Sequence, residues 1–463
     1  MKISRLRILG LIFLEMLLTI VIIFLWWKGP SLYSNQLLIL LFCHLFMCIC
    51  LIYIMSRDNF YVFEPIVFVT FMYYMIFVFT PIYDIFEDNV SIFGTNTMSG
   101  CIKGTIIFVA GFIALLIGYN SKIVCRKKGY FVEFQKRTIL EYDKHSLLTY
   151  SYVVWGSSIA IYLLYNMMTG RNLLYMLSFG FFSQGLNSTQ GYSVDFLSMI
   201  IYCSFVPMMN ILIYDKSKLL KILVFLITCI PVATRGFRSV LIIPLMAPFI
   251  YRYIKTKKTP KIYVMGIITF IVIFMLGFIE NTRGSMRVGT GLNIEGYSYL
   301  DGMDGILDYF GSYKTFYGAV MTYPSEHPYT CGQQLLYSIV MYIPRVIWPG
   351  KPNSLIQEVI GNSTNEIARL SGAAWPNIGE YYTDGGIIGL IFIMFILGWL
   401  LKHMKKMYEN PKAKSSLIAY SLLLPALIPI IAYGYTAGNL PTIVFMMLPF
   451  CGEKYFVKKV VGG

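Results

Sequence analysis

A chain of 463 residues that is 57% hydrophobic and only 13% charged has far more apolar surface than a soluble core of that size can hide. Lipid is therefore its solvent, and a soluble globular enzyme is excluded. The formal net charge of +15 would point to nucleic acid in a soluble protein, but the placement of the basic residues decides otherwise.

The N-terminus, Met1 to Arg7, is basic and leads into an apolar run over 8–27. That run is too long for the core of a signal peptide and has no small-residue cleavage site after it, so it reads as a retained first helix. The hydrocarbon layer is about 30 Å thick, and each crossing needs roughly 17–25 mostly apolar residues. About twelve segments meet this, near 8–27, 36–55, 62–83, 101–119, 146–166, 195–214, 218–234, 238–254, 262–279, 386–401, 416–433 and 439–452. The polar turn Thr234-Arg-Gly-Phe-Arg-Ser239 separates two of them into a hairpin. The predicted class is an all-α integral membrane protein. Helices one to nine lie in 1–279, a large loop spans 280–385, and the last three helices with a basic tail occupy 386–463.

Cytoplasmic connections retain Lys and Arg. With the N-terminus inside, most of the 38 basic residues fall in inside segments, clustered at 1–7, 120–145, 252–261 and 402–414. Acidic residues run the other way. The basic charge is thus a topology signal that needs no nucleic acid, and both termini are expected in the cytoplasm. The long loop falls outside and is rich in Trp, Tyr, Gly and Pro, so it is expected to fold. Asp304 to Val320 and Gln333 to Ile347 have the mixed apolar spacing of amphipathic helices on a membrane surface. Cys43, Cys48, Cys50, Cys203 and Cys229 sit inside apolar runs and read as small buried hydrophobes.

The few outside arginines are the most informative residues. Arg235 and Arg238 share the tight turn after Thr234; Arg283 and Arg287 follow Glu280 in Asn281-Thr-Arg-Gly-Ser-Met-Arg287; Arg345 lies among prolines in Tyr342-Ile-Pro-Arg-Val-Ile-Trp-Pro-Gly-Lys-Pro352; Arg369 precedes Ser371-Gly-Ala-Ala-Trp-Pro. A guanidinium is a planar fork of donors matched to phosphate oxygens, so converging arginines would bind a lipid diphosphate. The plain alternatives are snorkelling anchors and, for Arg283 or Arg287, an ion pair with Glu280. A group-transfer reaction also needs a base. Glu380 leads, between Gly379 and the pair Tyr381-Tyr382 at the mouth of a predicted helix, with Asp384, His327 and Glu326 behind it. Against these stand a helix-capping role for Glu380 and a surface-turn role for His327. No Walker motif, dinucleotide fingerprint, HExxH or Cys/His ligand cluster occurs, so metal-free chemistry without a bound cofactor is expected.

With these residues in place the chain resembles the bacterial oligosaccharide repeat-unit polymerases, the Wzy-type O-antigen and capsule polymerases. The likeness rests on the plan of many helices with one large late loop and on three local matches: Thr-Arg-Gly-Phe-Arg-Ser (234–239), Ile-Pro-Arg-x-x-Trp-Pro-x-Lys-Pro (343–352) and Gly-Glu-Tyr-Tyr-x-Asp-Gly-Gly (379–386). The family's last run more often ends in an Asn-Phe-Gly type sequence, so Thr383-Asp384 departs from it and the role of Asp384 stays open. The resemblance implies a fold like that of the lipid-sugar-using membrane glycosyltransferases. It also implies inverting transfer between undecaprenyl-diphosphate-linked oligosaccharides outside the cytoplasmic membrane. Arg345 and Glu380 would be catalytic and the other arginines diphosphate-binding, with Asp384, His327 and Tyr381 auxiliary. The lipid bilayer, a chain-length regulator and a flippase are the implied partners. The competing readings are a glycan ligase with the same plan and a lipid-linked-oligosaccharide transporter. A transporter would place charges along a path through its helices, where this chain has little beyond Glu15 and Glu64.

Overall fold

The computed structural model describes residues 19–20, 22–24, 27, 30–57, 60–92, 94–121, 138–142, 144–168, 197–234, 238–256, 260–261, 263, 307, 310–340, 343, 347–351, 375–409, 414–434, 436–453, 455 and 457–461. Among them, six helices are long and apolar enough to cross a membrane. These are α1 (Ser34–Met55), α2 (Pro65–Phe86), α3 (Cys101–Asn120), α4 (Lys144–Met168), α10 (Asn377–Glu409) and α11 (Lys414–Tyr433). Shorter helices are α5 (Phe205–Tyr214, continuing a 3-10 stretch from Leu197), α6 (Lys218–Thr234), α7 (Arg238–Thr256), α8 (Tyr313–Thr322), α9 (Gln333–Val340) and α12 (Thr436–Met447). The described part of the chain is thus an all-α membrane protein. Most of expected segments 262–279 and 8–27, including Glu15, lies outside the described residues.

Two apolar cores divide the helices. One joins α1, α2, α3, α8, α10, α11 and one side of α7 around Phe77, Phe108, Phe112 and Phe316, with Phe77 stacked on Phe108 at 4.3 Å. The other joins α4 to α7 with parts of α11 and α12 around Tyr162, Phe205 and Met209. α3 and α10 pack most closely. A Cβ on Gly118 would lie 2.0 Å from the Phe395 carbonyl oxygen, and one on Gly398 would lie 2.0 Å from that of Leu115. Lipid gives helices no hydrophobic reason to associate, so such small-residue contacts, which let backbones approach, do that work. The five expected intramembrane cysteines are all buried.

Buried polar groups tie the helices at three levels. Glu64, in front of α2, is fully buried and is answered by Lys405 at 2.9 Å, Arg57 at 3.4 Å and the Tyr119 hydroxyl. That is a paired structural charge, not a step on a path through the bilayer. His44 in α1 meets the Tyr74 hydroxyl at 2.9 Å, next to the π-helical turn Met75–Phe79. At the opposite end of α2, Lys314 Nζ lies 2.9 Å from Asp84 Oδ2, to which the Tyr313 hydroxyl also donates at 2.7 Å. Lys103 Nζ donates to the Val320 carbonyl at 3.0 Å. These contacts correct one expectation. α8, in the first stretch assigned to the membrane surface, is drawn into the core, with Tyr313, Phe316 and Tyr317 fully buried. Lys314 on α8, paired with Asp84, and Lys103 on α3, bonded to the Val320 carbonyl, hold it against α2 and α3 instead of leaving one face free.

In the short helix Phe450–Glu453 that follows α12, Glu453 is buried and accepts from the Asn210 amide, which also donates to the Ser151 hydroxyl at 3.2 Å. The carboxylate so binds α5 and α4 to the chain end. A short antiparallel pair, β3 (Thr138–Tyr142) with β4 (Val457–Val461), places the segment before α4 beside the C-terminus; β1 (Ser91–Ile92) and β2 (Thr95–Asn96) form a second hairpin. Burial raises the Glu453 carboxyl from its ordinary 4.5 to about 7, so between those values the folded protein holds a proton that the unfolded chain releases. Stability then falls as pH rises through that window. Glu453→Gln is expected to flatten that part of the pH dependence, read as the thermal midpoint in detergent from pH 4.5 to 7.5. A wild-type profile unchanged by the substitution would contradict this account of Glu453.

Candidate active site

The run Gly379 to Gly386 forms the head of α10. Pro376 precedes it, and its carbonyl takes the Gly379 and Glu380 N–H groups at 2.8 and 3.2 Å, closing the first turn. Proline suits that place because it has no N–H to leave unpaired. α10 begins at Asn377, ahead of the span expected over 386–401, and is broken at Gly386, where φ is 61° and ψ −158°. Only glycine adopts this backbone readily. The head of the helix is therefore a separate short helix set on the membrane-crossing one, and it carries the polar residues of the run.

Glu380 and Asp384 lie one turn apart, on one face. Glu380 is 6% exposed. Its two carboxylate oxygens each accept the Thr436 N–H at 3.1 Å, and Oε2 also accepts the Thr436 hydroxyl at 2.8 Å. Thr436 opens α12, so Glu380 does cap a helix start, that of α12 rather than its own. Asp384 Oδ1 accepts the Thr330 hydroxyl at 2.6 Å and the N–H groups of Gly332 at 2.9 Å and Gln334 at 3.3 Å. It caps α9 in the same manner. Two helix N-termini therefore converge on one turn of α10, each ending on a carboxylate. Their unpaired N–H groups and dipoles favour the negative charge there. Among the described residues neither carboxylate makes an ion pair with Lys or Arg.

The approach of α12 depends on Gly434. Its φ is 58°, and a Cβ there would lie 2.7 Å from the Trp375 carbonyl oxygen and 2.9 Å from Asn377 N. Around the pair, the Tyr73 hydroxyl donates to Asn377 Oδ1 at 3.0 Å, and Tyr381 neighbours Glu380, Asn377 and Thr436. The Tyr329 hydroxyl donates to that of Tyr382 at 3.3 Å, which donates to the Tyr323 carbonyl at 3.2 Å. His327 sits in this aromatic patch with its ring 5.6 Å from that of Tyr323; no described hydrogen bond links it to Glu380.

Of the residues expected at the site, Glu380, Tyr381 and Asp384 are thus together and His327 is at the rim. Arg235, Arg283, Arg287, Arg345 and Arg369 lie outside the described residues, and so does the side chain of Arg238, which opens α7. Thr436, Gly434, Asn377, Tyr73 and Thr330 were missed. A Thr opening an apolar run just after a glycine was a legible cap signal for α12, but nothing local tied it to Glu380.

A carboxylate has about four lone-pair sites. The Thr436 N–H, shared between the two oxygens, and the Thr436 hydroxyl make three contacts with Glu380, and among the described residues no other donor reaches it, which leaves acceptor capacity for the proton of a bound hydroxyl. The family model for the O-antigen polysaccharide polymerase Wzy matches residues 7–452. The chain belongs to that family. No curated protein and no solved structure matches it. The polymerase is accordingly a multi-pass bacterial membrane protein of polysaccharide biosynthesis, and its substrate class is lipid-linked oligosaccharide. The match spans all three local runs by which the sequence resembled the family, and it favours a polymerase over a ligase or a transporter.

Proposed function

We propose that the protein joins oligosaccharide repeat units carried on undecaprenyl diphosphate into a surface polysaccharide, O-antigen or capsule, by inverting transfer at the outer face of the cytoplasmic membrane. A hydroxyl at the non-reducing end of the incoming unit attacks the anomeric carbon of the growing chain. The new C–O bond forms on one face as the bond to the diphosphate oxygen breaks on the other. The hydroxyl proton passes to Glu380, and undecaprenyl diphosphate leaves with the bonding pair. Arg345 is proposed to meet the charge developing on that leaving group, where preorganised donors count most. Arg235, Arg238, Arg283, Arg287 and Arg369 would bind the two diphosphates. Asp384, Tyr381 and His327 are proposed to position the site rather than react. The lipid diphosphate supplies the driving force, so neither nucleotide nor metal is required.

The observation that carries this reading is the buried Glu380 carboxylate, held by Thr436 with no other donor on it among the described residues. The reading takes twelve spans with both termini cytoplasmic. A flippase would deliver the lipid-linked units to the outer face, and a chain-length regulator would set the product size. The test is the purified protein in proteoliposomes with undecaprenyl-diphosphate-linked repeats and a chelator, without nucleotide. A ladder of products with one undecaprenyl diphosphate released per linkage is expected. Transfer of a single unit to a different acceptor, without a ladder, would overturn polymerisation in favour of ligation.

A further inference from the structure

We propose that the outward face of α9 is immersed in hydrocarbon of the leaflet on the long loop's side, with lipid acyl chains as its occupant. α9 reads Gln-Gln-Leu-Leu-Tyr-Ser-Ile-Val and has no charged residue. Gln334, Tyr337 and Ser338 are buried, where the helix packs on α12 and α10. On the other side Leu335 is 56% exposed, Leu336 45% and Ile339 64%. Their spacing puts the three on one stripe. A contiguous aliphatic stripe of this kind on a loop needs an occupant.

Continuity with the lipid-facing surface identifies that occupant. α12, against which α9 packs and which overlaps the last expected span, exposes Leu440 and Val444 one turn apart, with exposed Leu448 in the turn just after it. Past α9, Ile347 is exposed and Trp348 partly so, and Trp favours the boundary between headgroups and hydrocarbon. The backbone agrees. A helix can enter hydrocarbon only if its end N–H groups are satisfied, and Asp384 takes those of Gly332 and Gln334. A charge-free face offers nothing to a charged protein partner. Since Asp384 ties the start of α9 one turn from Glu380, the site opens beside acyl chains, and a lipid-linked substrate reaches it sideways from the bilayer. That last consequence rests on the proposed function; the immersion does not.

The test uses the full-length protein with Cys125, Cys331 and Cys451 replaced by Ser. Single cysteines at Leu335, Leu336 and Ile339, and at exposed Glu326, would carry an environment-sensitive fluorophore in phosphatidylcholine–phosphatidylglycerol vesicles. Blue-shifted emission, severalfold stronger quenching by chain-brominated lipid than at Glu326, and little quenching by iodide are expected for the three α9 positions. Iodide quenching there would overturn immersion. Shielding from both quenchers would also overturn it, in favour of a protein or a second copy on this face. Hydroxyl-radical footprinting of unmodified protein in the same vesicles reads the face without a label, with Leu335, Leu336 and Ile339 expected unoxidised; their oxidation would overturn the proposal. Neither measurement uses activity, so failure of the catalytic reading would not mimic failure of this one.

Discussion

Glu380→Gln is expected to stop chain extension while leaving the protein inserted and folded. Positioned acid–base groups contribute about 10²- to 10⁴-fold to rate, and a polymerase slowed that far makes no visible ladder. The side-chain amide keeps the length of Glu380, and its carbonyl oxygen can still accept the Thr436 N–H and hydroxyl, so α12 should stay docked on the head of α10. What disappears is the ability to take a proton from the attacking hydroxyl. In cells lacking the native gene, the variant should leave single lipid-linked repeats in place of the ladder, with a thermal midpoint in detergent close to that of the parent. Wild-type ladders from Glu380→Gln would remove Glu380 from the role of base. Glu380→Asp tests geometry separately: the shorter carboxylate stays basic but withdraws from Thr436, so partial activity is expected.

Gly434→Val should be nearly as damaging without touching a reacting group. Position 434 holds a left-handed backbone that costs a residue with a Cβ roughly 1–2 kcal/mol, and the added atom would also run into the backbone of residues 375–377. Backbone cannot swing aside as the end of a flexible side chain can, so the α11–α12 connection must retreat. Thr436 would retreat with it and release the Glu380 carboxylate. A shift of about 1 Å at a reacting group can cost about 10²-fold in rate, and that order of loss in ladder formation is expected at normal expression. Gly156→Ala in α4 is the control, because a Cβ there meets nothing within 4 Å and near-parental ladders should result. A fully active Gly434→Val would show that the clasp of Thr436 on Glu380 is not needed for catalysis.

The parts of the fold legible in the sequence are those governed by local solvation. Apolar runs such as 36–55, 101–119 and 416–433 coincide with α1, α3 and α11, because a stretch without water partners must satisfy its own backbone as a helix. Glu380, Tyr381 and Asp384 are close in sequence and so read as one cluster, but they fell in the expected loop; the helical turns that set the two carboxylates on one face begin at Asn377, ahead of the expected span. Local solvation also misled at α8, whose mixed spacing looked amphipathic. Whether a lysine snorkels to water or pairs with a buried carboxylate depends on what stands opposite, and Asp84 lies far away in the chain. The break at Gly386 was also invisible, because a glycine permits such a backbone without requiring it.

Read alone, the amino-acid sequence determined that this chain lives in lipid, roughly where its helices run, and which family it resembles; each of these follows from residue type and short-range spacing. Tertiary structure alone decided that Glu380 caps α12 and Asp384 caps α9. Orphan N–H groups at a helix start accept any oxygen that packing brings within reach, so the partner is chosen through space. The candidate base of the polymerase was visible in its own motif. The threonine that holds it, and the glycine that lets that threonine approach, became visible only once the chain was folded.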